Sequence, residues 1–175
     1  MSELLTIGYE GSTPDAFDAA LAAAGVELVV DVRAVAASRR RGFAKTALSG
    51  RLIDAGIHYI HLRELGDPKP GRDAARAGRW AEFRSIFSAH LATPDAVDGL
   101  ARLSELALRQ RTALLCYEAD ASQCHRTIVA ERVARGCKLV VAHLQASPFA
   151  TGRHERDRSC PGRWCSSPAV ASPLA

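Results

Sequence analysis

Apolar runs and helical stripes alternate along this chain. Leu4-Leu5-Thr6-Ile7-Gly8-Tyr9 reads as a strand. Thr13-Pro14-Asp15 then opens a helix, with Thr as its cap and Pro in the first turn, where a missing N–H costs nothing. Phe17, Leu21 and Ala24 continue that helix and Gly25 ends it. Val26–Val32 is a nearly continuous apolar run with β-branched residues, the mark of a parallel strand buried on both faces. Lys45–Ala55 predicts a second helix with Leu48, Leu52 and Ile53 inward, stopped by Gly56. Ile57-His58-Tyr59-Ile60 alternates and predicts a third strand.

Leu65–Arg79 breaks the rhythm. It carries Gly66, Pro68, Pro70, Gly71 and Gly78, which predicts a long surface loop. Trp80–Leu91 and Asp95–Gln110 follow as helices, Thr112–Cys116 as a fourth strand, Thr127–Arg135 as a helix and Lys138–His143 as a fifth strand. This alternation predicts an α/β fold, a three-layer Rossmann-like sandwich with a mostly parallel sheet of about five strands. The expected domain spans residues 1–145. From Ala146 the pattern dies into Ser, Pro, Arg and Gly, which predicts a disordered tail over 146–175.

The composition fits one core: 175 residues, 47% hydrophobic and 24% charged. No apolar run approaches the roughly 18 residues of a membrane span, and the N-terminus lacks the pattern of a secretory signal. Five irregularly spaced cysteines argue for reduced thiols rather than a disulfide framework, so a cytoplasmic setting is expected. A net charge of +4 permits anionic partners, either a small molecule or nucleic acid. An aromatic content of 6% gives little support for stacking along an extended single strand.

In open α/β sheets, ligands bind beyond the carboxyl ends of the strands. The polar residues of this chain gather there. Strand one ends at Tyr9 and Glu10, strand two at Asp31-Val32-Arg33, strand three at His61, and strand four at Cys116 with Glu118 just after. Beyond these comes Cys124-His125-Arg126, a nucleophile, a titratable base and a fixed cation in succession before a helix. A helix start favours negative charge, which predicts a lowered thiol pKa at Cys124. After strand two, Arg33, Ser38, Arg39, Arg40, Arg41 and Lys45 cluster around Phe43, which either stacks on a base or anchors the loop. Cys116, at the end of an apolar strand, reads as a buried inert thiol, and Asp31 as a partner for Arg33 or Arg126.

Thr6-Ile7-Gly8-Tyr9, Asp31-Val32-Arg33, Ser38-Arg39, Phe43, Leu65-Gly66, Leu114-Leu115-Cys116, Glu118 and Cys124-His125-Arg126 occur in that order. Over roughly residues 4–145 this series resembles the domain-of-unknown-function 488 family. Ala36 stands where that family usually has Pro, and Asp67 where it often has a second Gly. The resemblance implies a compact α/β domain without an established activity, and some members carry a DNA-repair label.

Two functions compete. In the first, a thiol-dependent enzyme acts on a phosphorylated or other anionic substrate. Cys124 is its nucleophile or redox thiol, His125 or Glu118 moves protons, and Asp31 completes the catalytic set. Arg33, Ser38, Arg39 and Arg126 hold the anion. In the second, the same basic residues make a nucleotide or nucleic-acid binding module. A metal held by Cys116, Cys124 and His125, with Glu118 or His61, is a third reading. Its ligands lack the tight pairs of structural zinc sites, as do His154, Cys160 and Cys165 in the tail, so no metal or other cofactor is expected.

Overall fold

The computed structural model describes residues 3–146. Five strands form one sheet: β1 (Glu3–Gly8), β2 (Leu28–Asp31), β3 (His58–His61), β4 (Thr112–Cys116) and β5 (Val140–Leu144). Their order is β3-β2-β4-β1-β5 and every pairing is parallel. Six helices connect them: α1 (Pro14–Ala23), α2 (Lys45–Asp54), α3 (Lys69–Arg76), α4 (Trp80–His90), α5 (Pro94–Arg109) and α6 (His125–Cys137). Single 3₁₀ turns lie at Arg63–Leu65 and Ala121–Gln123.

Side chains alternate across a strand, and the two faces of this sheet carry separate apolar clusters. Leu5, Ile7, Val29, Ala113 and Leu115 pack against Phe17 and Leu21 of α1 and Leu48 and Leu52 of α2. Leu4, Leu28, Val30 and Leu114 pack against Ala74, Phe83, Phe87, Leu103, Val129 and Val133, from α3 to α6. The result is the three-layer Rossmann-like sandwich the alternation predicts. Thr13 caps α1 as expected, its hydroxyl accepting from the Ala16 N–H at 3.2 Å.

Three local expectations need correction. Ile53 is 65% exposed rather than inward, because Leu48 and Leu52 already fill the buried face of α2. The predicted loop at 65–79 contains α3. Pro70 sits in its first turn, where no N–H is required, and Ala74 is wholly buried in the core. Prolines that read as breakers are a helix start. Finally, α6 begins at His125 rather than Thr127, which makes Cys124 its N-cap, with Sγ accepting from the Arg126 N–H at 3.5 Å. The tail over 146–175, with His154, Cys160 and Cys165, falls outside the described residues except for Ala146. Among the described residues, no helix is long and apolar enough to cross a membrane.

Candidate functional site

The site is built where β1 and β4 end side by side. Gly8 terminates β1 against the backbone of the β4–α6 loop. A Cβ at Gly8 would lie 1.8 Å from the Glu118 carbonyl oxygen, so this approach requires glycine. Arg126 holds the same loop from the other side. Its Nη1 donates to the Glu118 carbonyl, its Nη2 to the Ala119 carbonyl at 3.2 Å and its Nε to Thr6 Oγ1 at 3.3 Å. The side chain is among the largest fully buried in the protein. Arg126, expected to hold an anion, here directs Nε, Nη1 and Nη2 to groups inside the fold and positions the loop.

The clamped loop brings four chemically active side chains together. The Cys116 and Cys124 thiols each lie 3.0 Å from the same Glu118 oxygen, Oε2. His125 Nδ1 is 3.7 Å from Cys116 Sγ, and Nε2 donates to the Val32 carbonyl at 2.8 Å. One ligand-capable atom from each of the four lies within 4.8 Å of the others. Cys116, Cys124 and His125 are all buried. His61 is not part of this group; its Nε2 bonds the Arg33 carbonyl at 2.8 Å.

Burial pushes both thiols up rather than down, which overturns the lowered pKa expected at Cys124. The helix start acts over the first turn, but at Cys124 loss of solvent and the neighbouring Cys116 thiol outweigh it. Burial also works against the Glu118 carboxylate, yet hydrogen bonds from the two thiols hold it below the usual carboxylate range. Burial opposes charge on His125 as well. Cys124, the Val32 carbonyl and the Glu118 carboxylate more than offset it and carry His125 up to about 9.

Asp31 is wholly buried. Its carboxylate takes Arg33 Nη2 at 2.6 Å, Arg33 Nε at 2.9 Å and the Tyr59 hydroxyl at 2.6 Å. Asp31, expected in the catalytic set, is found as the buried partner of Arg33 and Tyr59. Arg33 Nη1 donates to the Tyr9 hydroxyl and the Phe43 carbonyl, each at 2.9 Å. Phe43 is buried and stacks on Tyr9 with centroids 4.4 Å apart, so it anchors the loop.

Above the cluster opens a cavity of about 660 Å³. Cys116, Glu118 and His125 line it, and Arg33, Ser38, Arg39, Arg40, Arg72 and Arg76 surround it with Asp67 and Tyr117. Ser38 accepts from the Arg40 N–H at 3.1 Å, and Arg40 donates to the Ser12 carbonyl. Arg39 is exposed. Arg41, Lys45 and Cys124 do not line the cavity. Sequence reasoning missed Asp67, Arg72 and Arg76, which lay in the supposed loop. The signal was there: Arg72 and Arg76 are four residues apart, one helical turn, with the buried Ala74 between them. Arg72 donates to the Asp67 carbonyl. Asp67 is pushed up to about 6 by burial, with the charges of His125 and Arg72 offsetting part of that rise.

Fold and site together define a Rossmann-like α/β protein with a Cys-Glu-Cys-His cluster beneath an arginine-walled cavity. The chain belongs to the family described as Domain of unknown function DUF488, whose model matches residues 13–133. No curated protein and no solved structure matches it.

Proposed function

We propose that the protein binds a small anionic molecule, phosphorylated or carboxylated, at the carboxyl edge of its sheet. One observation carries this: Arg39 and Arg40 from the β2–α2 loop and Arg72 and Arg76 from α3 converge on a single cavity. Arginine forks match the oxygen pairs of phosphate and carboxylate. The cavity volume falls within the range of about 300–1,000 Å³ usual for small ligands. Glu118 and His125 at its floor are groups able to move protons, which extends the reading to an enzyme acting on that anion.

A nucleic-acid module has less support. Phe43, the aromatic residue among the loop arginines, is stacked inside the fold and presents no face to a base. Cys124 as nucleophile also has less support, since it does not line the cavity.

Calorimetric titration with inorganic phosphate, pyrophosphate and a nucleoside monophosphate tests the proposal. Saturable binding is expected, and Arg39→Ala or Arg76→Ala should weaken it about tenfold, or roughly 1.4 kcal/mol. Absence of saturable binding by every small anion would reject the reading. Binding confined to DNA, falling steeply with salt, would replace it with the nucleic-acid module.

A further inference from the structure

We propose that Cys116, Glu118, Cys124 and His125 form a binding site for a divalent transition-metal ion of the zinc type. The proposal goes beyond the anion reading and stands without it, because it rests on the mutual geometry of four side chains and not on the arginine wall.

Three observations carry it. First, two sulfurs, one carboxylate oxygen and one imidazole nitrogen lie within 4.8 Å of one another. Ligand atoms placed about 2.0–2.3 Å from a common tetrahedral centre are separated by distances of this order. Thiolate, imidazole and carboxylate are the donors that borderline-soft ions such as zinc take together.

Second, the histidine is already oriented as a ligand. The Val32 carbonyl can only accept, so His125 Nε2 carries a proton, and Nδ1 is the nitrogen left for the cluster. Metal-bound histidines commonly donate their remote N–H in this way, which fixes ring and tautomer. Phe87 packs edge-on against the ring with centroids 5.3 Å apart and limits its rotation.

Third, three of the four ligands sit at element ends, and the loop carrying the fourth is packed from two sides. Cys116 ends a central strand, Cys124 caps α6 and His125 is its first residue. Gly8 and Arg126 clamp the Glu118 backbone between them. Two thiols converging on one carboxylate oxygen satisfy each other by hydrogen bonds when protonated. An ion at their centre would replace those bonds with metal–ligand bonds. The two S–H protons, and any proton on Nδ1, would leave to solvent. No oxidation state changes.

The sequence spacing explains why these residues did not read as a metal site. Four ligands in ten residues do not form the paired motifs of structural zinc sites. They meet because a strand end, a loop and a helix cap fold back on one point. Three of the four also line the cavity, so a bound ion would form part of its floor.

The experiment uses the full chain without a histidine tag, reduced, stripped with chelator and titrated with zinc or cobalt(II). One ion per chain is expected, with intense thiolate-to-cobalt charge-transfer absorption and the visible bands of a tetrahedral site. Cys116→Ser and Cys124→Ser should each lose the bound equivalent, and Glu118→Gln should weaken it. The triple variant Cys137→Ser, Cys160→Ser, Cys165→Ser should keep it, which separates this site from the other cysteines. Because serine at a buried position could disturb folding, a wild-type NMR titration with zinc gives an independent readout. The His125 ring resonances should shift in stoichiometric proportion. Failure of the reduced chain to retain zinc would overturn the proposal. So would retention by Cys116→Ser together with loss in the triple variant. Loss of anion binding with metal binding intact would reject the pocket reading alone.

Discussion

Two sets of arginines border the same site and behave in opposite ways. Arg33 and Arg126 are 4% and 1% exposed, and their donors meet a carboxylate, hydroxyls and carbonyls within the fold. Arg39 and Arg76 stand at the cavity, Arg39 exposed and Arg76, among the described residues, with only a long 3.4 Å contact to Asp73. The buried pair builds the site, and the outer pair is the one proposed above to offer charge to a ligand. Residue type alone cannot distinguish the roles. What separates them is the number of acceptors the fold supplies. A buried guanidinium is tolerated only when hydrogen-bonded partners surround it, and such partners leave little for a ligand.

The largest effect should come from breaking the buried set. Arg33→Ala would leave the Asp31 carboxylate buried without its cation, at a cost of about 3–5 kcal/mol. Arg126→Ala would strip two loop carbonyls of their donor, at about 2–4 kcal/mol. Urea unfolding followed by circular dichroism measures both. A change below about 1 kcal/mol at either position would mean that these arginines are not structural in the sense argued here.

A second test uses the carboxyl at the edge between the two sets. Asp67 is 5% exposed and its Oδ1 has no hydrogen-bond partner among the described residues. It packs so tightly on α3 that a Cβ at Gly71 would come within 2.0 Å of it. Its folded pKa of about 6 exceeds the ordinary value near 3.9 of an unfolded chain. The folded state therefore favours the protonated acid. That contribution is complete below about pH 4 and is lost as pH rises through about 6. Asp67→Asn should remove the dependence and leave the variant more stable at pH 7 by on the order of 1 kcal/mol. Unfolding curves at pH 4, 5, 6 and 7 decide it. A parent protein whose stability does not fall over that window relative to the variant would contradict the burial argument.

The fold was legible because period and composition agree in the strands. Val26–Val32 and Thr112–Cys116 are too apolar for anything but buried strands, and β2 and β4 are neighbours near the centre of the sheet. Helix α3 was hidden because Pro70 and Gly71 are local breakers, whereas its one deep anchor, Ala74, is small. The candidate site was legible as a location, since the strand-end rule named Cys116, Glu118, Cys124 and His125 before any coordinates. The state of its thiols was not. A helix start predicts a lowered pKa at Cys124, but depth below the surface and the neighbouring Cys116 thiol decide the sign. Neither depth nor a through-space thiol neighbour is visible in sequence spacing.

The smallest effect on stability should come from the outer arginines, and it tests the comparison most directly. Arg39→Ala removes an exposed side chain for which no hydrogen bond or ion pair is seen among the described residues. Surface changes of this kind stay within about 0.5 kcal/mol. Arg76→Ala loses only its exposed contact with Asp73, which is worth little in water. Both variants should therefore unfold with the parent's urea midpoint while their phosphate affinity drops. That dissociation is the signature of charge held for a ligand, because a residue that built the fold would move both readings together. If either variant lowers the midpoint as far as it lowers affinity, the division between building and binding arginines fails at that position, and the cavity wall becomes an extension of the buried scaffold.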